Sequence, residues 1–170
     1  VMSLFRRVVP TGIKHGTVTV LLDGVGYEVT TLRGETSYSD GRRPDSVYFV
    51  DDIVADLARR DFTINAMAFD PLEGSLIDPF DGMGDLKTGM LRAVGNAAER
   101  FAEDGLRVLR AARFEATLGF TLEPATAEPI AKLRDLLAGV PAARLFDETL
   151  KLFLTGHGAS SLRVLRDRGL

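Results

Sequence analysis

Hydrophobic and polar positions alternate over residues 17–32, TVTVLLDGVGYEVTTL, in two β-rich runs on either side of Asp23-Gly24. Asp-Gly accepts the positive φ of a tight two-residue turn, so the pattern predicts an antiparallel hairpin. Residues 33–46, RGETSYSDGRRPDS, are polar and rich in Gly, Ser and Asp, which predicts a long exposed loop of the kind that often carries function. The period turns helical from Asp51 through Arg60. Asp61 follows where its carboxylate can accept from the free N–H groups of a second helix reaching Ala66. MAFDP and GSLIDPF, residues 67–71 and 74–80, predict short strands joined through Leu72, Glu73 and Gly74.

From Asn96 the helical period dominates. Helices are expected over 97–118, 124–138, 142–155 and 158–168, with stops at Gly119, Gly139-Val140-Pro141 and Gly156. The fold class expected is α+β, with antiparallel or mixed strands over residues 1–95 and an all-helical domain over residues 96–170.

Composition narrows the function classes. With 45% hydrophobic and 26% charged residues among 170, the chain can bury a core. Its formal charge of −3 supplies no overall basic field, so a nucleic acid would be met by local patches. The absence of cysteine excludes disulfides, thiolate catalysis and zinc-thiolate sites. No stretch approaches the roughly 20 apolar residues that cross a bilayer, and a cytoplasmic setting is expected. The chain starts at Val1 rather than at an initiator methionine and is expected to be a fragment. Nothing in it sets an oligomeric state.

ERFAEDGLRVLRAARF, residues 99–114, is the richest segment chemically. At helical spacing Arg100, Glu103, Asp104, Arg107 and Arg110 fall within roughly a third of the circumference, while Phe101, Val108, Leu109 and Ala112 gather opposite. From spacing alone the commoner account is a solvated face with Glu103 and Arg107 as an i, i+4 ion pair. A sharper account uses Asp104 as acceptor and Arg107 as donor. Together they match a base edge on which an exocyclic amine lies beside a ring acceptor, as in cytosine and adenine but not in guanine or uracil.

The stretches VPTGIKHGTVTVLL, YEVTTLR, DGRRPDSV, DLARRDFTINAMAFDP, IDPFDGMGDLKTGMLRAVG and RFAEDGLRVLRAARF cover most of residues 9–114. They resemble the class II tRNA nucleotidyltransferases, the CCA-adding enzymes, and the related bacterial poly(A) polymerases. RRDFTINAM followed about forty residues on by EDGLRVLRAARF carries the likeness.

The resemblance implies a partial nucleotidyltransferase palm followed by a helical neck. It implies addition of CTP and ATP to the 3′ end of tRNA, with Mg2+ and release of pyrophosphate. Within it, Arg60 and Asp61 match positions that contact the nucleotide sugar, and Asp104 and Arg107 match the amino-acid template for the base. Arg110 and Arg113 match arginines that complete the nucleotide site. Glu28 matches an acidic strand position near the metal centre, although a strand glutamate is by itself more often plain surface. DPFDGMGDL, residues 78–86, matches a flexible segment between palm and neck, with Asp81 standing where one of two paired glycines is usual.

The family's metal-binding Asp-x-Asp does not occur in these 170 residues, so no metal ligand is expected in this chain. The chain itself is then expected to bind a nucleotide weakly and not to catalyse transfer. Two alternatives stand beside CCA addition. One is a poly(A) polymerase adding AMP to RNA 3′ ends, to which residues 140–170 are more similar; the other is a noncatalytic RNA-binding domain. His15, His157 and the basic tail of Arg163, Arg166 and Arg168 carry weaker suggestions of phosphate contact.

Overall fold

The computed structural model describes residues 1–13, 16–35 and 47–170. His15 and residues 36–46 of the expected loop lie outside the described residues.

The hairpin forms as expected. Strands β2 (Thr17–Leu22) and β3 (Val25–Thr30) pair antiparallel from Leu22↔Val25 to Thr17↔Thr30. Asp23 and Gly24 have φ of 49° and 83°, the left-handed pair that lets a two-residue turn follow the strands' twist. An unforeseen strand, β1 (Val8–Gly12), adds to β2 and leaves the sheet order β1-β2-β3. Pro10 lacks an N–H and is accommodated because β1 is an edge. The first residues of the expected loop are also strand: β4 (Arg33–Glu35) pairs with β5 (Val47–Phe49).

Helix α1 (Ile53–Ala58) starts at Asp52, whose carboxylate accepts from the Val54 N–H at 2.8 Å. The helix expected after Asp61 does not form. Phe62 is extended, fully buried and bridged to Ala93, so only a 3-10 turn, Thr63–Asn65, follows it. Strands β6 (Ala68–Asp70) and β7 (Ser75–Ile77) then pair as expected.

The glycine-containing segment expected to flex folds as α2 (Gly82–Thr88). The Asp78 carboxylate accepts from the Gly82 and Met83 N–H groups at 2.7 and 2.9 Å. A Cβ at residue 82 would collide with the Thr63 carbonyl, so glycine there permits close approach. Asp81 takes φ 57°, a left-handed conformation that glycine adopts without strain.

The expected helix 97–118 is two helices, α3 (Ala97–Glu103) and α4 (Leu106–Leu118). Asp104 between them is extended at φ −150°, ψ 102°. A Cβ on Gly105 would lie 2.7 Å from the Leu136 carbonyl oxygen, so backbone crowding at this point admits only glycine and the chain breaks. The back half continues through α5 (Pro124–Leu133), a 3-10 segment (Arg134–Gly139), α6 (Ala142–Phe153) and α7 (Gly158–Arg168). It is not wholly helical. Residues Thr121–Leu122 form a short strand, β9, parallel to β8 (Met90–Leu91).

One buried cluster joins Phe62, Leu91 and Ala93 to Phe101, Val108, Ala111, Leu122 and Ile130. A second sets Leu106 and Leu109 of α4 against Val140 and Leu152. With apolar residues drawn in two directions, α4 leaves its arginine side to face the segment after α1.

Candidate functional site

The end of α1 and the start of α4 border an open cleft of about 480 Å³ lined by Arg59, Arg60, Asp61, Asn65, Arg107, Arg110 and Phe114. Four of these seven are arginines and one is an aspartate, so the lining favours an anionic occupant. The volume falls in the range of small-molecule sites.

Asp61 ties the two elements together. Its Oδ1 accepts from the Phe62 N–H at 2.9 Å and from Asn65 Nδ2 at 3.1 Å. Its Oδ2 lies 2.7 Å from Arg110 Nε and 2.5 Å from Nη2. Four donors fill a carboxylate's acceptor capacity, which makes Asp61 an organiser of the wall as it stands. Arg110 also stacks at 5.3 Å over Phe114, whose ring meets Phe62 edge-on. Arg60 donates from Nη1 to the Asn65 carbonyl at 3.0 Å and from Nη2 to Asp56 at 3.5 Å, with 42% of its side chain exposed. It is the most accessible of the predicted cations here.

Arg107 is almost buried, and main chain holds it. Nη2 donates to the Arg59 carbonyl at 2.9 Å, while Nη1 donates to the Arg100 carbonyl at 2.9 Å and to Glu103 Oε2 at 2.7 Å. Arg100 in turn donates to the Ala58 carbonyl at 3.1 Å and pairs with Glu103 at 2.9 Å. The carbonyls that end α1 are thus capped by two guanidinium groups, where a helix terminus is partially negative.

Asp56 braces this end of α1 from inside. Its Oδ1 accepts from Arg59 Nη2 at 2.7 Å, Arg59 Nε at 3.1 Å and the Arg33 N–H at 3.1 Å. Burial pushes the Asp56 carboxyl up, but the Arg59 and Arg33 hydrogen bonds, with the charges of Arg59 and Arg60, hold it below the usual carboxylate range.

Of the predicted residues, Arg60, Asp61, Arg107 and Arg110 meet at the cavity. Three others lie elsewhere. Asp104 is held by Arg144 of α6 through Nη1 at 3.1 Å and Nη2 at 2.6 Å, and its Oδ1 accepts from the Leu106 N–H at 3.2 Å. The helix break turns Asp104 off the stripe on which a continuous helix would place it. Arg113 pairs with the buried Glu148 of α6 and stacks at 4.0 Å over Phe114. Glu28 is exposed on β3, opposite Thr19, and does not line the cavity.

Sequence reasoning passed over Asp56, Asn65 and Phe114, and gave Arg59, beside Arg60, no role of its own. Asp56 had a usable signal, because it stands at i, i+3 and i, i+4 to the arginine pair. Among the described residues no three carboxylate or imidazole groups converge as a metal site would require, and no helix is long and apolar enough to cross a membrane.

Two family models match the chain, one described as the poly A polymerase head domain over residues 1–92, the other as the probable RNA and SrmB binding site of polymerase A over residues 119–170. The chain is 48% identical, over all of its length and 42% of the other's, to the CCA-adding enzyme of Lactobacillus johnsonii. It is 53% identical over 156 residues, 92% of this chain and 39% of the other, to that of Lacticaseibacillus paracasei. It therefore spans well under half the length of these curated relatives. Among solved structures, the Bacillus stearothermophilus CCA-adding enzyme in complex with CTP superposes with a TM-score of 0.88 at 41% identity, covering 99% of this chain and 40% of that one. A tRNA nucleotidyltransferase complexed with a primer tRNA and an incoming ATP analog gives 0.78 at 34% identity, covering 95% and 45%.

Proposed function

The chain belongs to the poly(A) polymerase head domain family, and from that premise we propose that it forms the nucleotide-holding part of a template-independent nucleotidyltransferase adding CTP and ATP to tRNA 3′ ends. The supporting observation is the cavity in which Arg60, Asp61, Arg107 and Arg110 converge. A site with one carboxylate among four guanidinium groups suits a triphosphate and a sugar, because the planar fork of arginine matches phosphate oxygens in pairs.

Residues 1–95 serve as the palm or head and residues 96–170 as the neck in this proposal. Arg60 and Arg110 contribute to holding phosphate and sugar, Arg110 by exchanging Asp61 for the ligand. Arg107 faces the base. A guanidinium donates to the ring nitrogen of cytosine or adenine and meets an N–H on uracil or guanine, which leaves donors opposed. Asp104 reaches the exocyclic amine only by releasing Arg144, and Arg113 acts through the seating of α4 on α6. The named relatives, which include complexes with CTP and an ATP analog, favour CCA addition over a poly(A) activity.

Two Mg2+ ions would supply, in such a reaction, activation of the attacking hydroxyl and neutralisation of the leaving pyrophosphate. The residues described here do not fit that pair, because no carboxylate cluster of the required size exists among them.

Arg107→Ala in the full-length protein is the test. CTP affinity is expected to fall by about tenfold or more, the scale of one charge-assisted hydrogen bond, with RNA affinity changed far less. Equal losses for both ligands, with no preference for CTP over UTP in the unaltered protein, would instead fit a phosphate-gripping RNA-binding domain.

A further inference from the structure

We infer that Asp56 is a positioning residue for base selection, acting on Arg107 through the backbone carbonyl of Arg59. This rests on the proposed reading of Arg107 as the group that faces the base.

Arg107 presents its guanidinium to the cavity only in the orientation that its acceptors allow. One of these, the Arg59 carbonyl, is the last of α1 and lies 48 residues away in sequence. That carbonyl is fixed because the Arg59 side chain folds back on its own helix. Nη2 and Nε reach Asp56 Oδ1 at 2.7 and 3.1 Å, and Nε also donates to the Arg33 carbonyl at 3.0 Å. Asp56 is 1% exposed and also accepts from the Arg33 N–H, so β4, the α1 terminus and Arg59 are fastened at one carboxylate. Its second oxygen faces Arg60 Nη2 at 3.5 Å, which steers a second cavity arginine. A buried carboxylate outside the cavity wall thereby sets where two cavity cations point.

Removal of this carboxylate takes two hydrogen bonds from the Arg59 guanidinium while its bond to the Arg33 carbonyl stays, and so loosens its carbonyl by the few tenths of an ångström over which a hydrogen bond weakens. Arg107 keeps its charge and its bonds to Glu103 and the Arg100 carbonyl, but loses a fixed direction. Attraction for any triphosphate survives; discrimination between bases declines.

The experiment measures CTP and UTP dissociation constants and KM and kcat for both, in the full-length protein, for Asp56→Ala, Asp56→Asn, Arg107→Ala and the double variant Asp56→Asn with Arg107→Ala. The CTP preference is expected to fall about tenfold in Asp56→Ala and less in Asp56→Asn, which retains an acceptor, mostly through KM. In the Arg107→Ala background Asp56→Asn should change the preference no further, the signature of two groups acting as one. An undiminished preference in Asp56→Asn while Arg107→Ala abolishes it would overturn the role of Asp56 and leave the reading of Arg107 intact. An undiminished preference in Arg107→Ala itself would overturn that reading first. Should Asp56→Ala fail to fold, Asp56→Asn and the double variant decide alone.

Discussion

At the scale of single residues, buried carboxylates tie separate elements together, Asp56 joining α1 to β4 and Glu148 joining α6 to α4. Asp56 contributes stability through its ionised form, because the fold depresses its carboxyl below the ordinary value. That contribution is complete above the unfolded carboxylate value of about 3.9 and is lost as pH falls through the lower folded value. Urea midpoints measured from pH 7 downward should therefore decline more steeply below about pH 4 in the unaltered chain than in Asp56→Asn. Arg113 makes a separable case. Its partner Glu148 is 1% exposed, so Arg113→Met leaves that buried charge with only the more distant Lys151 ammonium at 3.7 Å and should cost up to about 3 kcal/mol of stability by denaturant titration. CTP affinity of the folded protein should change little, the result that distinguishes a helix clasp from a phosphate contact. Neither this pair nor the Asp104 pair with Arg144 was legible in the sequence, because each joins positions 35 and 40 residues apart and no local period records such a contact. The grouping of Arg60, Asp61, Arg107 and Arg110 was legible through the family likeness, not through spacing.

At the scale of elements, local chemistry announced itself where a turn or cap required a particular residue. Asp23-Gly24 marked the hairpin, and the helical period from Asp51 marked α1, though not its cap at Asp52. The break between α3 and α4 was hidden because apolar residues keep their period across it, so periodicity reads one helix where packing against Leu136 imposes two. Gly105, a poor residue for a helix interior, was the one available clue. Gly105→Ala should lower the melting temperature and disturb Asp104, its neighbour, as seen by weakened coupling to Arg144 in a double-mutant cycle. At the start of α2 the opposite change is favourable. Asp81→Gly relieves a left-handed residue and should be neutral or stabilising by up to about 1 kcal/mol, whereas Asp81→Val should destabilise on the same thermal melt.

At the scale of the whole molecule, the change from strands to helices near residue 95 was plain in the sequence, yet the principal core ignores it. Phe62, Leu91 and Ala93 pack with Phe101, Val108 and Ile130, and β8 pairs with β9 across the change. Strands of two residues are too short to leave a pattern, so this seam was not foreseeable. A division at 95/96 that serves function need not divide folding. Separate pieces 1–95 and 96–170 should each show little cooperative melting, and Phe62→Ala should lower stability by about 3–5 kcal/mol through a cavity shared by both halves, measured by calorimetry.

The carbonyls that close α1 are received by Arg100 and Arg107. The guanidinium that would read a base is consequently aimed by main chain, common to all amino acids and untouched by most substitutions. Altering which letter is accepted can then come from tilting a helix as well as from exchanging a side chain, so a change of alphabet should arise from replacements behind α1 as well as from swaps in the wall itself.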